Sequence, residues 1–172
     1  MLTERLKNSI KSFPDFPKKG IDFKDLSPII ADPILFKDLI NEISKNKIFD
    51  KTDAILAIDA RGFIYGSAIA LKLNKPLILA RKKNKLPGEL ISKDYGLEYG
   101  KDSLSIQKEI VNNLNKFVIV DDLLATGGTA SCVYELLSSI NKKVLGIYFI
   151  VELLNLKGRD KFDVPIYSAL TI

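Results

Sequence analysis

The 172-residue sequence predicts an α/β fold, a mostly parallel central sheet flanked by helices. Three observations lead there. Two segments, 54–73 and 117–140, each read as strand, tight turn and helix. The strand portions, A-I-L-A-I at 54–58 and F-V-I-V at 117–120, are continuous apolar runs without alternation, the pattern of strands buried on both faces. Each run ends in charged residues and a small-residue turn, at the edge where open α/β sheets place their ligands.

Taken in order, the chain begins with a short helix over 3–11, carried by the i, i+4 pair Leu6 and Ile10. Periodicity then stops. Residues 13–25 hold two prolines, a glycine and three phenylalanines, and read as a rigid loop. Its aromatics either pin it to the core or stack on a flat ligand. Asp32 and Pro33 are an N-cap and a first-turn proline, and Ile34, Leu35, Leu39, Ile40 and Ile43 carry a helix to about Lys45. The strand at 54–58 opens through Asp59, Ala60, Arg61 and Gly62 into a helix over 63–73. That helix is apolar nearly all round, which predicts burial, in part against a partner subunit. A third strand, 76–80, runs into the basic group 81–85.

About 35 residues separate this third strand from the one at 117, far more than an ordinary connection. The weak alternation over 88–107 predicts a twisted antiparallel ribbon. A long, basic, glycine-punctuated excursion at the ligand edge reads as a mobile lid, about 82–106; the alternative is a solvated basic loop. A strand over 144–151 and a final edge strand over 166–170 complete the chain. There is no internal repeat, low-complexity tract or linker, so the expectation is one domain over 1–172.

The segment 117–129, F-V-I-V-D-D-L-L-A-T-G-G-T, carries the chemistry. A helix N-terminus leaves its first N–H groups free and favours an anion. Gly127 and Gly128 let backbone approach that anion, and Thr126 and Thr129 add hydroxyl donors. Asp121 and Asp122 accept hydrogen bonds, so their partners are sugar hydroxyls or a metal. A ribose 5-phosphate satisfies both requirements; an ordinary βα turn with a solvated acidic pair is the alternative. Arg61 projects toward the same edge.

Composition narrows the chemistry. The chain has no histidine, which removes histidine triads, general bases and metal ligands. A single cysteine excludes a disulfide framework. The net charge of +5 comes mostly from scattered lysines, with no Arg-rich block, so neither nucleic acid nor a membrane is expected as a partner. No apolar run approaches spanning length and no signal-peptide core is seen, so a cytoplasmic location is expected.

The motif V-I-V-D-D-L-L-A-T-G-G-T resembles the phosphoribosyl-pyrophosphate (PRPP) motif of type I phosphoribosyltransferases, in the form found in the adenine phosphoribosyltransferase family. F-P-x-x-P-x-x-G at 13–20 with Phe23, R-K-x-x-K-L-P-G at 81–88, L-E-Y-G at 97–100 and V-E-L-x-x-L-x-G-R at 151–159 are similar to that family too. The resemblance covers about residues 10–162. It implies a magnesium-dependent purine-salvage enzyme that converts adenine and PRPP to AMP and pyrophosphate. It also implies a homodimer and a small N-terminal hood, about 10–30, that covers the base.

Carried over by position, the 5-phosphate falls to Ala125, Thr126, Gly127, Gly128 and Thr129. Pyrophosphate falls to Ala60, Arg61, Arg81, Lys82 and Lys85. The base falls to Ile21, Asp22, Phe23, Lys24 and Leu153. The catalytic residues are Asp121, Asp122, Arg61 and Glu98, with Tyr99 on the lid. Mg²⁺ is expected to be held mainly by the substrate. Lys24 stands where the family usually has arginine, which leaves open whether that contact is made by main chain or side chain. The alternatives are a transferase for another base, such as xanthine, guanine or orotate, and a PRPP-sensing regulator without catalysis.

Overall fold

The computed structural model describes residues 1–97 and 100–172, and leaves the side chains of 96–97 and 100–102 undescribed. Glu98 and Tyr99, expected on the lid, lie outside the described residues. The chain forms two compact units, Met1–Lys45 and Asn46–Ile172.

In the first unit, helix α1 (Leu2–Ser9) is followed by strands β1 (Lys11–Pro14) and β2 (Asp22–Asp25) and by helices α2 (Ser27–Ala31) and α3 (Pro33–Ile43). Leu6, Leu26, Ile29, Leu35, Leu39, Ile40 and Ile43 are buried in it. Asp32 caps α3 as its sequence position requires, its carboxylate accepting from the N–H groups of Ile34 and Leu35 at 3.0 and 2.9 Å.

The stretch 13–25, expected as a loop, contains an antiparallel hairpin with Phe13 opposite Phe23 and Ser12 opposite Lys24. The prolines hide its alternation, because Pro14 closes one strand and Pro17 sits in the connection. Asp15 takes a left-handed φ of 58° and accepts from Gly20 N–H at 2.7 Å. Phe16 meets Phe23 edge-on at 5.3 Å, and both Phe13 and Phe16 stay about half exposed, so neither is a core anchor.

The second unit is built on a seven-stranded sheet. Its strands are β3 (Ala54–Ile58), β4 (Leu77–Lys82), β5 (Leu90–Leu97), β6 (Gly100–Gln107), β7 (Lys116–Leu124), β8 (Lys143–Glu152) and β9 (Ile166–Thr171), in the spatial order β5-β6-β4-β3-β7-β8-β9. Strands β4, β3, β7, β8 and β9 are mutually parallel, and the ribbon β5–β6 adds antiparallel to the edge of β4. Helices α4 (Gly62–Leu73), α5 (Lys108–Val111) and α6 (Gly128–Ser139) complete it.

Strand alternation sends α4 and α6 to opposite faces. Ala57 meets Gly66 of α4, while Leu56 and Ile58 join the core formed with Ala130, Val133 and Leu136 of α6. Cys132 is buried there, its thiol donating to Lys93 O at 3.3 Å and pushed up to about 11 by burial. No helix among the described residues is long and apolar enough to cross a membrane.

Two boundaries and the burial of one helix differ from the sequence reading. β7 continues through Asp121, Asp122 and Leu123 to Leu124, because β8 runs beside it as far as Glu152 and the backbone ladder persists whatever the side chains are. β4 likewise takes in Arg81 and Lys82, which pair with Ser105 and Leu104 of β6. Beyond Lys82 the excursion forms the antiparallel ribbon that its alternation predicts, β5 paired with β6. α4 is not buried all round, since Ile64 and Leu71 are exposed.

Candidate active site

Two neighbouring parallel strands end side by side, and their loops make the site. β3 ends at Ile58 and leads through Asp59, Ala60 and Arg61 into α4; the Asp59–Ala60 peptide is cis. β7 ends at Leu124 and leads through Ala125, Thr126 and Gly127 into α6. Between them lies a cavity of about 510 Å³ lined by Asp59, Ala60, Arg61, Lys82, Asp121, Asp122, Leu123 and Thr129.

The loop 125–129 has the form that an anion needs. Gly127 is the N-cap of α6 with a left-handed φ of 80°, and no side chain caps the helix. Its carbonyl already accepts from Ser131 N–H at 2.9 Å, so the turn is formed and the N–H groups ahead of Ser131 are presented at the helix end. A side chain at Gly128 would meet nothing within 4 Å, so this glycine faces open space. Thr129, one residue into the helix, lines the cavity.

The acidic pair lies within the last residues of β7, and both carboxylates line the cavity. Asp121 Oδ1 accepts from Asp122 N–H at 2.9 Å and lies against the start of α4, where a side chain at Gly62 would stand 2.7 Å from it. Burial, and then the neighbouring charge of Asp122, push the Asp121 carboxyl well above the usual carboxylate range. Asp122 is buried, and burial raises its carboxyl too, opposed by Arg61. Arg61 Nε stands 2.7 Å from Asp122 Oδ2, an ion-pair distance without hydrogen-bond geometry, because that oxygen accepts no hydrogen bond.

The basic group divides. Lys82 lines the cavity. Arg81 does not: its Nε is 3.2 Å from Asp59 Oδ2, its Nη1 donates to Lys85 O at 3.3 Å, and its guanidinium lies 5.6 Å over the Phe63 ring. Arg81 thus ties the loop after β3 to the basic turn, and Lys85 contributes a carbonyl to that tie. Ala60 and Arg61 fall at the cavity as their positions require.

In the first unit, Ile21 and Asp22 are exposed, and Phe23 and Lys24 are half-buried on β2. Lys24 Nζ donates to Ser12 Oγ at 2.6 Å and to Asp22 Oδ2 at 2.7 Å. Its ammonium is committed to the hairpin. In the second unit, Leu153 follows β8 directly, its N–H donating to Leu124 O at 2.9 Å.

Asp59 and Leu123 line the cavity without having been singled out in the sequence. For Asp59 the signal was present, since it ends a buried strand as Asp121 nearly does. Leu123 required knowing that β7 runs on.

Residues 29–169 match the family described as phosphoribosyl transferase domain. An adenine phosphoribosyltransferase of Prochlorococcus marinus is 56% identical over 172 residues, all of both chains. The crystal structure of adenine phosphoribosyltransferase from Thermoanaerobacter pseudethanolicus superposes with a TM-score of 0.93 at 42% identity, covering 100% of each chain. That of Saccharomyces cerevisiae, complexed with adenine and an imino-altritol bisphosphate, superposes with a TM-score of 0.89 at 36% identity over 97% of each chain. A glycine-turned helix end, an acidic pair and a basic loop at one sheet edge, within a chain alike from end to end, place this protein in the adenine phosphoribosyltransferase family of type I phosphoribosyltransferases.

Proposed function

We propose that the cavity between the loops after β3 and β7 is where the chain carries out its family's reaction, the formation of AMP and pyrophosphate from adenine and PRPP. The observation that carries the assignment is the juxtaposition, in one cavity, of an acidic pair, two basic side chains and the N-terminal turn of α6. A ribose carrying a phosphate at one end and a polyanionic leaving group at the other meets each of them.

The loop 125–129 takes the 5-phosphate, through its N–H groups and the hydroxyls of Thr126 and Thr129. Ala60, Arg61 and Lys82 take the pyrophosphate, and Arg81 and Lys85 support that group. Asp121 and Asp122 face the ribose. Burial disfavours both of their charges; the charge of Asp122 adds to the cost at Asp121, and Arg61 opposes it at Asp122. A ring that becomes cationic as its bond to pyrophosphate breaks relieves that cost, and does so only in the transition state. The pair therefore accelerates bond cleavage more than it strengthens binding.

Mg²⁺ fits this donor set. Asp121 and Asp122 offer hard carboxylate oxygens at the cavity, although Oδ2 of Asp122 already faces Arg61. Among the described residues no cluster of three or more acidic, histidine or cysteine side chains forms a protein cage, so substrate oxygens and water would supply the remaining ligands. The ion would neutralise charge on the pyrophosphate.

For adenine the proposal keeps Ile21, Asp22, Phe23, Lys24 and Leu153. Because the Lys24 ammonium is held by Ser12 and Asp22, its contact is assigned to main chain, which a lysine makes as well as an arginine. Glu98 is assigned the N9 proton, and Tyr99 a place on a lid that excludes water. The reading extends to one functional domain over 1–172 with a hood about 10–30, a homodimer, and a cytoplasmic location.

Incubation with PRPP, Mg²⁺ and a panel of purines and orotate tests the assignment. The expected result is AMP and stoichiometric pyrophosphate from adenine, with the other bases turned over far more slowly. No adenine activity, or preference for a keto base, overturns it.

A further inference from the structure

Glu152 closes β8, is only 2% exposed, and does not line the cavity. Its carboxylate accepts from Arg159 Nε at 2.6 Å, from Arg159 Nη2 at 2.5 Å and from Ser168 Oγ at 3.2 Å. The Arg159 side chain is half exposed while Glu152 is buried, and the two-pronged guanidinium fork between them fixes geometry tightly. What this fork fixes is visible one residue earlier.

Gly158 is buried, and its backbone lies directly behind the loop 125–127. A side chain there would overlap the Ala125 carbonyl oxygen and come within 2.8 Å of Leu124. In return, a side chain at Gly127 would stand 2.7 Å from the Gly158 carbonyl oxygen and 3.3 Å from the Phe162 ring. Phe162 also meets Tyr134 of α6 edge-on at 6.1 Å. Glu152 is level with Leu124 in the β7–β8 register, so the fork is anchored where β7 ends. The backbone of Gly158 thus lies against residues 125–127, two residues before Thr129, which lines the cavity.

We propose that Arg159 is a positioning residue for substrate: through its fork on Glu152 it holds Gly158 against the loop 125–127 and so directs the loop's N–H groups toward the 5-phosphate. This rests on the reading of 125–129 as the 5-phosphate site. Arg159 touches no substrate itself. Its effect is confined to the phosphate end, because the basic residues of the pyrophosphate end belong to the loop after β3 and to β4.

Calorimetric titration with ribose 5-phosphate and, separately, with pyrophosphate, both with Mg²⁺, tests it on the wild type, Arg159→Ala, Arg159→Lys, Glu152→Gln and Gly158→Ala. Ribose 5-phosphate binding is expected to weaken about tenfold or more in Arg159→Ala, Glu152→Gln and Gly158→Ala, and less in Arg159→Lys, which keeps the charge but loses the fork. Pyrophosphate binding is expected to stay within about twofold, and KM for PRPP to rise with kcat nearly kept. Unchanged ribose 5-phosphate binding in the variants, or equal loss of both ligands, overturns the proposal. Should Arg159→Ala fail to fold, Arg159→Lys and Gly158→Ala decide on the same criteria. A wild type that binds pyrophosphate but not ribose 5-phosphate instead overturns the assignment of the loop itself.

Discussion

Asp121 and Asp122 differ in what surrounds them, and the difference is testable. Asp122 faces Arg61 and keeps one buried oxygen without a hydrogen bond. Asp122→Asn keeps the shape and removes the charge, so kcat should fall by about 100-fold or more while PRPP affinity changes only a few-fold. Pre-steady-state and equilibrium measurements separate the two, and equal losses would mark a simple binding role. Asp121 has its carboxyl raised above the ordinary 3.8 by burial and by Asp122. A carboxyl raised on folding binds more protons folded than unfolded, so stability declines as pH rises from about 4 toward the folded-state value. Above that value the whole cost is present. Asp121→Asn is therefore expected to raise the melting temperature at pH 7 to 8, with the gain vanishing near pH 4. Melting curves across pH check this, and a gain independent of pH would contradict it. Glu152 behaves in the opposite sense: Arg159 lowers its carboxyl below the ordinary 4.5, so its contribution is present at neutral pH and lost as pH falls through the lowered value.

At the scale of elements, α4 is seated on the sheet by two glycines. Gly66 rests on Ala57 of β3, where an added side chain would stand 2.5 Å from the Ala57 Cβ. Gly62 rests on the Asp121 carboxylate and the Val120 carbonyl oxygen, at 2.7 and 3.1 Å from an added side chain. Either alanine replacement forces the helix off the strand and should cost about 1–3 kcal/mol of stability. The two are expected to differ in function. Gly66→Ala acts within the packing and should leave KM nearly intact, whereas Gly62→Ala displaces Asp121 and should lower kcat as well. Urea denaturation together with steady-state kinetics distinguishes them. Neither glycine is distinctive in the sequence, because nothing in G-F-I-Y-G states which strand lies beneath. The hairpin of β1 and β2 was illegible for a related reason: proline obscured the alternation, and the pairing of Phe13 with Phe23 is a contact between residues ten apart.

At the scale of the whole molecule, α4 also presents Leu71, 85% exposed, and Ile64, 40% exposed, with Ser67 between them along the helix. These two exposed apolar side chains on one helix face are the expected contact with a second copy. Sedimentation equilibrium should show a dimer for the wild type, and Leu71→Glu should shift it toward monomer. A wild type that is monomeric at working concentration would remove the homodimer.

The strand–turn–helix units, the glycine turn of 125–129 and the acidic pair were determined by the sequence itself, because continuous apolar runs, small turn residues and charges at strand ends are local signals. The same holds for the family, which several separated motifs carried before any contact was known. The tertiary structure decided what depends on neighbours. It set the extension of β7 through Asp121 and Asp122 beside β8, the withdrawal of Arg81 from the cavity into a tie with Asp59, and the commitment of Lys24 to its hairpin. It also decided the placement of Gly158 against the loop 125–127. Each is a matter of which backbone lies alongside which, and a residue's type does not encode that until the chain has folded around it.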